Sequence, residues 1–167
     1  MALHSIRRLY PLWRDLTGIR PGAVVDPPIL LLASPYLAAW LNAARDTYFH
    51  GGSPDVRLGR YATEIRGAVH ELRRRAPEDL HTLARDLAWN EGFTGRDALV
   101  LTEAYWIKAA VGAGGWEAER PMPSPLPSSQ HLDDEVPWLL AVAEAYRMIH
   151  PATAAALLAA SGGPAQL

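Results

Sequence analysis

The sequence predicts an all-α fold, a compact bundle of five to six helices with a proline-rich connection before the last helices. Three observations predict it. Apolar residues recur at i, i+3 and i+4 in segment after segment, the repeat of a helix with one buried face. No segment alternates apolar and polar residues with period two. Ser-Pro, Pro-Glu-Asp and Gly-Gly steps fall between the helical runs, where helices start and stop.

The elements follow in order. Leu3, Ile6, Leu9, Tyr10, Trp13 and Leu16 set the first helix, and Pro11 inside that run predicts a break or kink. Residues 17–28 hold Gly18, Pro21, Gly22, Pro27 and Pro28 and read as a loop, with Ala23-Val24-Val25 able to form a short extended segment. Ser34-Pro35 opens a second helix that runs to about His50 and stops at Gly51-Gly52. Ser53-Pro54-Asp55 repeats the start signal, and the next helix runs to about Arg75. Its apolar stripe is Leu58, Tyr61, Ile65, Ala68, Val69 and Leu72.

Pro77-Glu78-Asp79 places proline and two acids at another helix start, where the helix dipole favours negative charge. That helix ends near Asn90, ahead of Gly92. Thr94 and Asp97 form a capping box for a helix over about 95–111. This helix is apolar almost all round, with Thr102, Glu103 and Lys108 as its strongly polar interior residues, so it belongs at the centre of the bundle. Pro121, Pro123, Pro125 and Pro127 make 120–130 an extended linker. Asp133-Asp134-Glu135 then loads the start of a helix with Pro137 in its first turn, faced by Trp138, Val142, Tyr146 and Ile149. Pro151 starts a short alanine-rich helix ending near Ser161, and 162–167 is a loose tail. The whole, 1–167, reads as one helical domain.

Composition narrows the chemistry. With 49% apolar and 20% charged residues the chain has a globular balance. It contains no cysteine, which removes disulfides, thiolate metal sites and cysteine nucleophiles and suits the cytoplasm. The first ten residues lack the apolar run of a secretory leader, and the most apolar stretch, 29–41, is too short to span a bilayer and holds Pro35, so no membrane association is expected. Residues 1–85 carry 12 basic and 8 acidic side chains, a net +4, whereas 86–167 carry 4 and 10, a net −6. Such polarity serves two different partners or pairs one half with the other.

No phosphate loop, dinucleotide fingerprint, HExxH, GxSxG or doubled Glu-x-x-His motif occurs. The single Glu78-His81 copy reads as capping and solvation. The same holds for His131, Asp133, Asp134 and Glu135, the densest group of metal-ligand types, because three acids at a helix start complement the dipole without a metal. Asp46 and His50 share a turn near a helix end. No metal and no cofactor is assigned.

Glu103 is the candidate catalytic residue, since it shares a face with Leu99, Ile107 and Ala110, and a buried carboxylate must be paired, hydrogen-bonded or protonated. The reading with more weight is structural, an ion pair with an arginine from a neighbouring helix. Arg57, Arg60, Arg66, Arg73, Arg74 and Arg75 form the candidate nucleic-acid face, with Arg57, Arg60 and Arg75 placed opposite the apolar stripe. Glu64 and Glu71 interrupt it and pair with arginines at helical spacing. Of six tryptophans most read as core anchors. Trp116, beside Pro121 and Pro123, is the candidate partner contact.

These features favour a non-catalytic interaction subunit of a larger assembly, with a protein partner and nucleic acid as a second partner class. Small subunits of CRISPR effectors and phage packaging or connector proteins are helical domains in this size range, an analogy of size and fold alone. The alternative is a small helical-bundle enzyme or metal-binding protein using a buried acid. A helix-turn-helix over 77–111 ranks last, because its second helix lacks basic residues for a major groove.

Overall fold

The computed structural model describes residues 2–18, 53–113 and 132–162. These form six α-helices and no strand: α1 Ala2–Gly18, α2 Pro54–Arg75, α3 Leu80–Asn90, α4 Gly95–Gly112, α5 Leu132–Met148 and α6 Pro151–Ala160. The all-helical bundle expected from the sequence is therefore what forms. The expected helix at 34–50, the linker at 120–130 and residues 163–167 lie outside the described residues. Contacts group the chain into two compact units, Met1–Ala68 and Val69–Leu167.

In the first unit α1 and the start of α2 share a core. Ile6, Leu9, Tyr10, Leu12, Trp13 and Leu16 are buried on α1, and Tyr61, Ala62 and Ile65 on α2. Trp13 stacks on Tyr61 with ring centroids 4.9 Å apart. Its indole Nε1 donates to Glu64 Oε2 at 2.6 Å. The break expected at Pro11 does not occur, and α1 continues through it. An interior proline lacks one backbone donor and costs about 3 kcal/mol. The four buried neighbours Leu9, Tyr10, Leu12 and Trp13 offset this, since burying each large side chain contributes roughly 1.5–3 kcal/mol.

Ser53 starts α2 as expected, its Oγ accepting from Val56 N at 3.4 Å. Arg57, however, is not opposite the apolar stripe but buried. It stands one helical turn before Tyr61, and four residues bring a side chain almost back to the same bearing.

In the second unit α4 is central and packs against α3, α5 and α6. This matches its apolar circumference. Close approach rests on small residues: Ala84 and Ala88 on α3, and Ala98, Ala104, Ala109 and Ala110 on α4, are all fully buried. The α3 helix begins at Leu80 and not at Pro77, because residues 77–79 close a turn in which Leu80 N donates to Pro77 O at 3.2 Å. Gly92 and Gly95 turn the chain into α4 with φ of +89° and +58°, a region that L side chains rarely adopt. Thr94 is the N-cap, but its side chain makes no cap hydrogen bond, so the expected capping box does not close. Pro137 lies further inside α5 than its first turn. His150 caps α6, with Nδ1 accepting from Ala152 N at 3.2 Å.

Candidate functional site: a buried ion-pair cluster and an exposed hairpin end

Three helices of the second unit bring charge together. Arg73 comes from the last turn of α2, His81 from the first turn of α3, and Glu103 from the middle of α4. Arg73 Nη2 donates to Glu103 Oε1 and Oε2, both at 2.7 Å. His81 Nε2 stands 3.6 Å from Glu103 Oε2. The Arg73 guanidinium lies 4.9 Å from the centre of the Trp106 ring, and His81 meets that ring edge-on at 6.2 Å. The side chains of Arg73 and Glu103 are only 17% and 12% exposed, so each charge needs the other.

Burial alone raises the Glu103 pKa. Hydrogen bonding to His81 and the charge and hydrogen bonds of Arg73 outweigh it, and the carboxyl is held below its ordinary value. The side chain is thus an ionised acceptor with its charge matched. Arg73 Nε is buried without a hydrogen-bond partner, a cost the Nη2 contacts and the indole face compensate.

The other end of α3 and α4 has the opposite character. Trp89, in the last turn of α3, is 61% exposed; Phe93, in the turn, is 40% exposed; Leu99, early in α4, is 60% exposed. Arg85 rests 5.9 Å from the Trp89 ring and pairs with Asp86 at 3.0 Å. Trp89 was expected among the core anchors, and Leu99 on the buried face with Glu103. Both are instead exposed.

The arginines of α2 are mostly engaged. Arg60 pairs with Glu64 at 2.9 Å, Arg74 with Glu71 at 3.6 Å, Arg75 with the same Glu71 at 2.8 Å, and Arg73 with Glu103. Arg57 is buried and Arg66 is exposed. Trp116, Pro121, Pro123 and His131 lie outside the described residues, as do the side chains of Asp133 and Asp134; Glu135 is buried on α5. Among the described residues no three His, Asp or Glu side chains are placed to hold a metal ion. No described helix is long and apolar enough to cross a membrane.

His81 is the member of the cluster that sequence reasoning missed. Its only signal was the spacing to Glu78, whereas its partner is on another helix.

The class that fold and site define is an all-α bundle whose interior carboxylate is neutralised by an arginine and in which Trp89, Phe93 and Leu99 near the α3–α4 turn are exposed. The chain belongs to the family of unknown function DUF6545, whose model matches residues 2–148. Comparison with curated proteins finds no match. Comparison with solved structures finds none either.

Proposed function

We propose that this chain is a non-catalytic helical interaction subunit of a larger assembly, working in the cytoplasm and binding protein through the exposed end of the α3–α4 hairpin. The observation that carries this reading is the exposure of Trp89, Phe93 and Leu99 at that one end. Exposed aromatic and aliphatic side chains gathered in one place are the usual centre of a protein interface. The Arg73–Glu103 pair supports the non-catalytic part, since a carboxylate held by two 2.7 Å hydrogen bonds from an arginine is a poor proton acceptor. Nucleic acid is the less supported partner, because four arginines of α2 already face carboxylates.

Native purification from the source cell tests the reading. We expect stoichiometric protein to be retained, and lost when Trp89→Ala and Leu99→Ala are combined in a chain that keeps its helical circular dichroism. Retention unaffected by those substitutions removes the hairpin end as the contact. A raised 260/280 nm absorbance ratio that falls on Arg66→Glu directs attention back to the arginine helix.

A further inference from the structure

Burial on α3 ends at Ala88, and from Trp89 to Asp97 every residue is exposed. Packing therefore holds this stretch, which carries Trp89 and Phe93, only weakly. Its backbone closes on itself instead. Gly92 N donates to Trp89 O at 3.0 Å and Phe93 N to Ala88 O at 3.2 Å. With Gly92 at φ +89°, these are the two bonds of a Schellman motif, which ends α3. Trp89 enters that closure through its carbonyl and Phe93 through its amide. Both bonds stay within α3 and its turn, and neither reaches α4.

The link to α4 is made by side chains. Glu91 is the C-cap of α3, two residues from Trp89 and two from Phe93. Its Oε2 accepts from the Tyr105 hydroxyl at 2.7 Å. Among the described residues this is the one side-chain hydrogen bond or ion pair made by 89–97. Helical side chains lean toward the N-terminus of their helix, so Tyr105, in the second half of α4, reaches back toward the turn. Its ring is buried, which anchors the donor. Leu99 stands on the same helix. The bond thus ties the segment with two exposed aromatic rings to the helix that carries the exposed Leu99.

We propose that Tyr105 is a positioning residue for these exposed apolar groups, holding Trp89 and Phe93 in fixed relation to Leu99 through Glu91. A surface ordered before contact loses less conformational freedom on binding, so it binds more tightly than the same side chains on a loose turn. The proposal takes its consequence from the interaction reading above, but the ordering is a property of the free chain and is measured there.

Nitrogen-15 relaxation on the full chain tests it, because order parameters report motion within the folded state and do not respond to a loss of global stability. The backbone of 91–94 should be rigid in the parent, with values of about 0.85, and Tyr105→Phe should lower them toward about 0.6 while 100–110 keep theirs. The Trp89 indole should loosen with the turn. Glu91→Ala should do the same, and the double variant no more than either single one. Glu91→Gln keeps an acceptor oxygen and should retain the parent values. Low values in the parent, no change in Tyr105→Phe and Glu91→Ala, or an equal drop through 100–110 overturns the proposal. Protein retained in native purification should fall in Tyr105→Phe although Trp89, Phe93 and Leu99 are all present, and unchanged retention on a loosened turn removes the positioning role. If Trp89→Ala with Leu99→Ala leaves retention intact, the interaction reading has failed, and the order parameters still decide whether Tyr105 fixes the turn.

Discussion

Arg73 Nη2 lies 2.7 Å from both carboxylate oxygens of Glu103, joining the end of α2 to the middle of α4. Neither side chain has water enough to carry its charge alone. Removing one partner should cost far more than removing both. Glu103→Leu and Arg73→Met are each expected to lower stability by about 3 kcal/mol. The double replacement Arg73→Met, Glu103→Leu should stay within about 1 kcal/mol of the parent, since buried pairs exchanged for apolar groups are often neutral. Urea unfolding of the four proteins checks this, and additive losses in the cycle would show that the pair is not coupled.

The same pair sets a pH dependence. The Glu103 carboxyl titrates below its ordinary value of 4.5 in the folded chain. A lowered acid contributes stability that is full above the unfolded value and is lost as pH falls through the folded one. Melting temperatures of the parent and of Glu103→Gln should therefore differ near neutral pH and converge as the pH is taken well below 4.5. A gap that persists in strong acid would mean that the carboxylate charge is not what stabilises the site.

How much of this was legible can be judged residue by residue. The central place of α4 was visible, because a helix apolar all round has no side for solvent. That Glu103 needs an arginine was also visible, since desolvation leaves a carboxylate few options. Which arginine was not, because Arg73 is 30 residues away and only the packed helices bring it near. Arg57 was legible and misplaced: its spacing to Tyr61 already put it on the inner side. Trp89 and Leu99 mark the limit of periodicity. It identifies an apolar position but not whether another helix covers it.

Tyr105 donates its hydroxyl to Glu91 Oε2 at 2.7 Å, tying α4 to the turn that precedes it. Burial, then the hydrogen bond and charge of Glu91, push its pKa up to about 12 from 10.0. A raised tyrosine contributes stability below the unfolded value and loses it as pH rises through the folded one. Tyrosinate absorbance should include a step near pH 12 that Tyr105→Phe removes. At neutral pH the same substitution should cost about 1 kcal/mol.

The fully buried alanines of α3 and α4 predict intolerance of size. Ala84 is fully buried where α3 meets its neighbours. Ala84→Leu adds three heavy atoms with no space to receive them and should cost roughly 1–3 kcal/mol by overpacking. Ala84→Gly should cost about 1 kcal/mol for the different reason of helix propensity. Thermal unfolding distinguishes them: a leucine variant as stable as the parent would show that the helices are not in close contact there.

In the first unit Trp13 and Glu64 form a polar link beside the apolar core, with Arg60 holding the other carboxylate oxygen at 2.9 Å. Trp13→Phe keeps most of the ring packing on Tyr61 but deletes the indole donor. Glu64→Gln keeps the shape and removes the charge. Each is expected to cost about 1–2 kcal/mol, because a hydrogen bond to a charged acceptor is stronger than a neutral one. Their combination should cost less than the sum, with a coupling of about 1 kcal/mol. Chemical denaturation of the two single variants and the double measures that coupling directly. A sum that is strictly additive would show that Trp13 is held by stacking on Tyr61 alone and that Glu64 serves only Arg60.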